Sequence, residues 1–180
     1  MKLIATSIPD VILIELRVFG DARGFFYESW NARDFAQSGI DASFVQDSHS
    51  RSARGVLRGL HYQIQQPQGK LVRAIAGEIF DVVVDLRKSS PTFGRHVVAR
   101  LSSASHQMLW VPPGFAHGFC VLSEYAEILY KQTDYYAPQH ERSLLWNDPE
   151  LAIDWPLMGA PILSEKDNVG LPFGQAEIFP

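Results

Sequence analysis

The chain has 180 residues, of which 46% are hydrophobic and 20% charged, and its formal net charge is −4 at pH 7. These values are typical of a folded globular protein, and we expect residues 1–180 to form a single domain. The modest charge and the absence of any run of like charges argue against a nucleic-acid partner. An anionic ligand would have to be bound by a local cluster of Arg and Lys side chains.

The cysteine content and the N-terminal segment indicate the compartment. Cys120 is the single cysteine, so no internal disulfide can form and nothing favours an oxidising environment. The N-terminal segment MKLIATSIPDVILIEL contains only short apolar runs with Pro and Asp between them. It is a poor signal peptide and is too short to span a bilayer. We therefore expect a soluble, cytoplasmic protein with no membrane partner.

Short strand-like runs separated by turn residues follow one another along the chain. In order, they are DVILIELRVF, GFFYES, SFVQDSHS, GVLRGLHYQ, KLVRAIAG, EIFDVVVDLR, RHVVARLS, QMLWVP, HGFCVLS and AEILYKQTDYY. The segments between them, such as GDARG, QQPQG and SSPTFG, have the composition of turns. Many short strands at this spacing predict an all-β fold, an antiparallel sandwich or barrel.

A few short helices are expected beside the strands. Asn31 is a candidate N-cap, with Asp34 three residues later and Gly39 as the stop signal. Ser164, which precedes Glu-Lys-Asp, is a candidate cap for another short turn.

The run GVLRGLHYQ carries polar residues inside what is otherwise a strand pattern. In a regular strand Arg58 and His61 would point to opposite faces, because side chains alternate. Gly59 lies between them, and a glycine inside a strand often marks a bulge that redirects side chains. With a bulge, Arg58 and His61 would face one cavity. The alternative is that Arg58 lies at the rim and His61 is a hydrogen-bonded core histidine.

A second polar group, WVPPGFAHGFCVL, places Pro112, Gly114 and His117 in a P-x-G-x-x-H pattern. The pattern resembles the second motif of the cupin jelly rolls, in which that histidine often binds a metal. The first cupin motif requires H-x-H, and the corresponding residues here read His-Tyr-Gln, beginning at His61. A metal site needs three or four ligands brought together, so we expect no metal ion.

Tyrosines and scattered cations are the remaining candidates. Tyr130, Tyr135 and Tyr136 lie close together in the sequence, where each either packs in the core or serves as a general acid or a stacking platform. Several cations would bind phosphate if they were gathered at the mouth of a barrel, although each alone is a solvated surface charge. They are Arg23, Lys70, Arg73, Arg142 and Lys166.

Longer motifs occur in a fixed order over almost the whole chain. They are DARGFFYESW, QDSHSRSARGVLRGLHYQ, QGKLVRAIAGEIFDVVVDLRKSSPTFG, WVPPGFAHGFCVLSE, LYKQTDYYAP, LLWNDPELAIDWP and LSEKD. Together they resemble the dTDP-4-dehydrorhamnose 3,5-epimerase family of sugar-nucleotide epimerases. The resemblance implies an antiparallel, cupin-like jelly roll, a homodimer, and catalysis without a metal or any other cofactor.

The resemblance also implies a reaction. Members of this isomerase family remove a proton from C5 and from C3 of dTDP-4-dehydro-6-deoxy-D-glucose and return each to the opposite face, giving dTDP-4-dehydro-L-rhamnose. The 4-keto group makes both positions acidic, because it takes up the charge as an enolate. The mechanism therefore needs a base, an acid on the other face and a cation near the ketone oxygen.

Four positions match the family's catalytic residues. His61 in LHYQ matches the base, and Asp167 in LSEKD matches the partner that orients it. Tyr130 in LYKQTD matches the acid on the opposite face. Lys70 in QGKLV matches the cation that stabilises the enolate.

Other positions match substrate contacts. Arg58 and His117 match contacts to the sugar and phosphate, and Tyr136 matches the ring that stacks on thymine. The positions that match nucleotide and diphosphate contacts are Arg23, Glu28, Gln46, Asp47, Glu141 and Lys166. The family motif usually reads Gln-Asp-Asn, whereas here Ser48 follows Gln46 and Asp47, which puts one nucleotide contact in doubt but not the chemistry.

Two other interpretations remain open at this point. A relative that acts on one carbon only, or on another nucleotide, would share the base and the acid, so the sequence separates it poorly. A non-catalytic carbohydrate-binding jelly roll would have no reason to keep a base, an acid and a cation together. Replacing His61 separates the classes, since only an enzyme has turnover to lose.

Overall fold

The computed structural model describes residues 1–180, which form short strands joined by tight turns, with two short helices. The strands are β1 (Lys2–Ala5), β2 (Ile12–Glu15), β3 (Phe19–Asp21), β4 (Gly24–Phe26), β5 (Gln46–Ala53), β6 (Leu57–Gln63), β7 (Lys70–Ala76), β8 (Glu78–Asp85), β9 (His96–Ser102), β10 (Gln107–Val111), β11 (Phe115–Val121), β12 (Tyr125–Gln132) and β13 (Glu141–Ser143). The helices are α1 (Ala32–Gln37) and α2 (Glu165–Asn168), and single 3-10 turns occur at Pro138–His140 and Phe173–Gln175.

Two antiparallel sheets form a sandwich. The six-stranded sheet has the order β1-β2-β10-β7-β12-β5, and the five-stranded sheet has the order β13-β6-β11-β8-β9. The hairpin of β3 and β4 forms a separate two-stranded sheet. Neighbours in both large sheets are often distant in sequence, so the order of the strands is fixed by packing rather than by local turns.

The core between the sheets follows from the period of two along each strand. Inward positions of β11 carry Phe115, Phe119 and Val121, which pack against Val72 of β7 and Ile128 of β12 in one cluster of 16 buried residues. His117 lies on the same face of β11 as these apolar residues. The polar residues at this face therefore interrupt an apolar layer that both sheets share.

The outward faces of the sheets are covered by other parts of the chain. Behind the five-stranded sheet, Leu144, Trp155 and Phe173 of the C-terminal segment pack on Leu60 and Tyr62 of β6. Behind the six-stranded sheet, residues around α1 pack on β10 and β7. Burying the outer face of β6 fixes the register of that strand, because a slip by one residue would exchange its two faces.

The sequence predictions for elements are largely confirmed. Each of the ten strand-like runs contains or overlaps a strand, and Asn31 caps α1 by accepting hydrogen bonds from the backbone N–H groups of Arg33 and Asp34. Ser164 caps α2 as expected. Two strands were missed, β1 and β13, because both are short and one lies in a segment with the composition of a turn. The structure contains no helix that is both long enough and apolar enough to cross a bilayer.

Candidate active site

A bulge in β6 brings Arg58 and His61 to the same face of the five-stranded sheet. His61 pairs with His117 of β11, whereas Arg58 pairs with Phe119, so three steps on β6 match two steps on β11. Gly59 has a φ of 122°, and a Cβ there would lie 2.5 Å from the Cα of Gly118. The predicted bulge at Gly59 is therefore confirmed, and it depends on a residue without a side chain.

His61 forms a hydrogen-bonded pair with Asp167 of α2. Nε2 of His61 lies 2.6 Å from Oδ1 of Asp167, and the backbone N–H of Gly59 donates to the same oxygen over 3.2 Å. The hydroxyl of Ser164 donates to the other oxygen, Oδ2, over 2.6 Å. Nδ1 of His61 has no hydrogen-bond partner within the protein and is not sealed from solvent. The free ring nitrogen is thus available to a ligand.

Burial and hydrogen bonding together set the protonation states of this pair. Burial lowers the pKa of His61 against the opposing effect of Asp167, and the positive charges of Lys166 and Lys70 lower that pKa further. Burial alone would raise the pKa of Asp167, but the hydrogen bonds from His61 and Ser164 outweigh it and hold that pKa at about 2. Near neutral pH, Asp167 is therefore a carboxylate that accepts the Nε2–H of a neutral His61. A neutral imidazole held in this tautomer can act as a base through Nδ1.

Lys70 belongs to the six-stranded sheet, but its side chain reaches the pocket that His61 lines. It begins β7, pairs with Val111 and Gln132, and its ammonium donates to the main-chain oxygen of His61 over 3.5 Å. Burial lowers its pKa to about 8, although the negative charges of Asp81 and Glu141 oppose this. Lys70 therefore remains mostly protonated at neutral pH and supplies a partly desolvated positive charge.

Tyr130 also comes from the six-stranded sheet, on β12. Its hydroxyl lies 3.1 Å from Oγ of Ser50 on β5, and its ring centroid lies 6.3 Å from that of His117. Burial raises its pKa, and the negative charge of Asp81 adds to this effect. The hydroxyl is therefore a proton donor at physiological pH, on the opposite sheet from His61.

His117 has a buried carboxylate partner that the sequence analysis missed. Nε2 of His117 lies 2.9 Å from each oxygen of Asp81 on β8, and these residues are 4% and 0% exposed. The sequence contains a signal for this pair, since Asp81 lies between Ile79 and Val83 on the apolar face of EIFDVVVDLR. A carboxylate at such a position needs a partner inside the core, but the sequence does not reveal which strand supplies it.

A second group of predicted contacts forms a hydrogen-bonded network near His61. Glu141 accepts hydrogen bonds from Tyr136 over 2.9 Å and from Lys166 over 2.7 Å. Gln46 accepts the backbone N–H of Tyr136 over 2.9 Å, and its amide contacts Ser48 over 3.3 Å. One pocket is lined by His61, Lys70, Tyr136 and Glu141 together with seven other residues.

Arg58 lies at the edge of the same inward face. Its side chain is exposed, and its Nε donates to Oγ of Ser52 over 3.0 Å. Arg58 therefore lies at the rim, which the sequence left as an alternative, and the bulge in β6 is present as well. No group of three or more His, Cys, Asp or Glu side chains in the structure is arranged to hold a metal ion.

Three predicted contacts lie away from this pocket within the chain. Asp47 alternates with Gln46 and Ser48 on β5, and it pairs with Lys131 over 3.0 Å on the outer face of the sheet. Arg23 is on the turn of the β3–β4 hairpin, where it pairs with Asp21. Glu28 follows that hairpin and lines a separate surface cavity.

The comparison with known proteins identifies the family. A profile of the family described as dTDP-4-dehydrorhamnose 3,5-epimerase matches residues 5–175. The chain belongs to the dTDP-4-dehydrorhamnose 3,5-epimerase family. The resemblance drawn from the ordered motifs is confirmed, and the protein is an isomerase rather than a non-catalytic carbohydrate-binding jelly roll.

Relatives of this epimerase family match the chain over its whole length. The dTDP-4-dehydrorhamnose 3,5-epimerase of Pseudomonas aeruginosa is 66% identical to this chain over 181 aligned residues. The alignment covers 100% of both chains. The crystal structure of a dTDP-6-deoxy-D-glucose-3,5-epimerase from Legionella pneumophila, in complex with dTDP-4-keto-L-rhamnose, has 51% identity and a TM-score of 0.96. That match covers 98% of this chain and 94% of the Legionella chain, and it confirms the jelly-roll fold.

A more distant relative acts at a single carbon. The structure of a 3'-monoepimerase from Streptomyces bikiniensis, in complex with dTDP-quinovose, has 32% identity and a TM-score of 0.89, covering 94% of this chain and 87% of that one. The fold is therefore common to single and double epimerases. The higher identities lie with the 3,5-epimerases, which supports 3,5-epimerisation for this chain.

Proposed function

We propose that this epimerase converts dTDP-4-dehydro-6-deoxy-D-glucose into dTDP-4-dehydro-L-rhamnose by inverting C3 and C5 through enolates. The observation that carries the proposal is that base and acid come from opposite sheets, His61 from β6 and Tyr130 from β12. A sugar ring bound between the sheets would present one face to Nδ1 of His61 and the other to the hydroxyl of Tyr130. Inversion at a carbon needs this arrangement, because the proton must leave one face and return to the other.

Each inversion would proceed in two proton transfers. His61, kept neutral by burial and aligned by Asp167, takes the proton next to the ketone, and the imidazolium that forms is stabilised by the carboxylate. The electron pair of the broken C–H bond moves into the carbonyl, and the ammonium of Lys70 stabilises the enolate oxygen. Tyr130 then gives its hydroxyl proton to the opposite face. His61 and Tyr130 exchange protons with solvent before the second carbon reacts. Because every step is a proton transfer between side chains and substrate, the proposed mechanism uses no cofactor and no metal.

The hydrogen-bonded network around Glu141 suits the nucleotide. We assign Tyr136, a residue that is 52% exposed, to stacking on thymine, and Lys166 and Glu141 to the nucleotide and diphosphate. Arg58 and His117 are assigned to the sugar and phosphate, and Gln46 and Ser48 to the base or ribose. Two pairings support these roles: Lys166 with Glu141, and Gln46 with the backbone of Tyr136.

The contacts that lie away from the pocket fit the expected homodimer. We propose that the enzyme is a cytoplasmic, single-domain homodimer whose ligand is the nucleotide sugar rather than a nucleic acid or a membrane. Arg23 and Glu28 then reach the nucleotide in the pocket of the other protomer, and Asp47 makes its contact from the outer face of β5. The hairpin that carries Arg23 supports this idea, because Phe25 and Phe26 on it are 63% and 71% exposed.

Proton NMR of dTDP-4-dehydro-6-deoxy-D-glucose incubated with the protein in D₂O, without added metal, tests the activity. We expect loss of the proton signals at both C3 and C5 and a 4-keto-L-rhamnose product that a reductase can trap. Exchange at one carbon only would replace the proposal with a single-site epimerase. No exchange with the wild-type protein would reject it, and the His61→Asn variant provides the baseline for exchange that the enzyme does not cause.

A further inference from the structure

The carboxylate of Asp167 accepts hydrogen bonds from two groups in addition to His61. His61 and the backbone N–H of Gly59 occupy Oδ1, over 2.6 and 3.2 Å. The hydroxyl of Ser164 occupies Oδ2 over 2.6 Å, and Ser164 Oγ in turn accepts the backbone N–H of Asp167 over 3.3 Å. Asp167 itself is 2% exposed. Ser164 is therefore the only side chain other than His61 that bonds this carboxylate.

We propose that Ser164 is a positioning residue of the epimerisation, which sets the orientation and basicity of Asp167 and, through it, of the base His61. This inference rests on the proposed function, in which His61 takes the substrate proton. Ser164 forms no hydrogen bond with His61 and does not line the pocket, and its hydroxyl donates to Asp167, so any effect of that hydroxyl on His61 passes through Asp167.

Two physical effects of the Ser164 hydroxyl support this role. A carboxylate whose second oxygen is fixed cannot rotate about its Cβ–Cγ bond, so Oδ1 stays in line with Nε2 of His61. A donor on Oδ2 also withdraws charge from the carboxylate and lowers its basicity, which limits how strongly Asp167 favours the imidazolium. Without the hydroxyl, Asp167 would hold the proton on His61 more firmly, and the pKa of His61 would rise.

A substitution at Ser164 removes no charged group around His61, and the only charged side chain to which the Ser164 hydroxyl bonds is Asp167. The titratable side chains that face His61 come from four elements besides its own strand. They are Asp167 and Lys166 on α2, Lys70 on β7, Glu141 on β13 and His117 on β11, and Tyr136 lines the same pocket. A change in the titration of His61 in a Ser164 variant can therefore be assigned to the Ser164–Asp167 contact, provided that α2 still folds.

Ser164 also has a purely structural role, because it is the N-cap of α2. The test must separate the two roles. Ser164→Ala removes the cap and the donor, whereas Ser164→Thr retains a hydroxyl that can do both. Asn31→Ala is the matched control, since Asn31 caps α1 in the same way, by accepting backbone N–H groups, and does not contact Asp167 or His61.

The experiment measures kcat, KM and the pH dependence of kcat/KM, together with the NMR titration of the His61 imidazole. The His61 signal is assigned by its loss in His61→Asn. For Ser164→Ala we expect kcat to fall about tenfold with little change in KM, since a hydrogen bond to a charged group is lost. We also expect the acid limb of the profile and the His61 titration to move to higher pH. Ser164→Thr should restore both, and Asn31→Ala should lower thermal stability without moving either.

The outcomes distinguish this inference from the proposed function. If Ser164→Ala is less stable but keeps the wild-type kcat and His61 titration, Ser164 is only a helix cap and the inference is wrong. If the wild-type protein does not exchange the C3 and C5 protons, the proposed function fails. In that case the NMR titration of His61 in Ser164→Ala still decides whether Ser164 controls the basicity of the pair.

Discussion

His61, the proposed base, has a pKa that is set by its surroundings. Burial lowers it below the ordinary value for histidine, which is about 6.5. The base is active when neutral, so kcat/KM should stay constant from neutral pH down to a break below about 6.5, and fall as the imidazole takes up a proton. A rate profile with an acid limb that breaks above that value would contradict the assignment of His61.

Lys70 should set the alkaline limb of the same profile. Its pKa is lowered to about 8, chiefly by burial, and only the protonated form stabilises an enolate oxygen. Activity should therefore fall as pH rises through about 8, which gives a bell-shaped profile whose alkaline side belongs to Lys70. Lys70→Gln should lower kcat at all pH values and remove the alkaline limb. If the limb persists in that variant, another group is responsible for it.

The proposed role of Tyr130 as the acid can be tested by removing its hydroxyl group. Its pKa is raised mainly by burial, so the hydroxyl stays protonated over the whole working range and contributes no limb to the profile. Tyr130→Phe leaves His61 and Lys70 in place but removes the donor on the opposite sheet. We expect the variant still to exchange substrate protons with D₂O while product formation falls by about 10²–10⁴-fold. Wild-type rates of epimerisation in Tyr130→Phe would rule out its role as the acid.

At the scale of elements, the bulge in β6 places Arg58 and His61 on the same face of the sheet. Gly59 has a positive φ, and a methyl group there would lie 2.5 Å from Gly118 Cα and 2.9 Å from the main-chain oxygen of His117. Gly59→Ala should therefore reduce the free energy of unfolding by about 3 kcal/mol. It should also lower kcat, since the Gly59 N–H that bonds Asp167 must move with the backbone.

Urea unfolding at one fixed protein concentration measures the loss, because the stability of an oligomer depends on concentration. Gly159→Ala is the matched control: a Cβ at Gly159 would meet nothing within 4 Å. It should leave stability within about 0.5 kcal/mol of the wild type. If both variants unfold at the same urea concentration, the close approach of β6 and β11 does not require glycine at position 59.

Local signals account for what the sequence predicted at this scale. Alternation marked the strands, capping residues marked both helices, and Gly59 marked the bulge. The partner of His117 was not predictable, because Asp81 meets it only through the order of β6, β11 and β8 in the sheet. Alternation along β5 also separates Asp47 from Gln46, although the family motif treats them as one pair. Long-range strand order is thus the part of the site that short patterns do not contain.

At the scale of the whole molecule, the exposed β3–β4 hairpin would link the proposed dimer to the site. Arg23 lies on its turn, with its side chain 90% exposed, and does not line the pocket that contains His61. A basic side chain on a projecting apolar hairpin is a suitable element to enter another protomer. If it does so, each pocket of the dimer uses His61 from one chain and Arg23 from the other.

Mixed dimers test this arrangement directly. One protomer carries His61→Asn and its partner carries Arg23→Ala, and two different affinity tags allow the mixed dimer to be purified. If Arg23 acts across the dimer, one of the two pockets contains both wild-type residues, and the mixed dimer should show about half of the wild-type activity at low substrate concentration. If Arg23 acts within its own chain, neither pocket is complete and the mixed dimer should be no better than the homodimeric variants. A chain that stays monomeric at assay concentrations would remove the basis for the arrangement, and Arg23 would then be a surface residue.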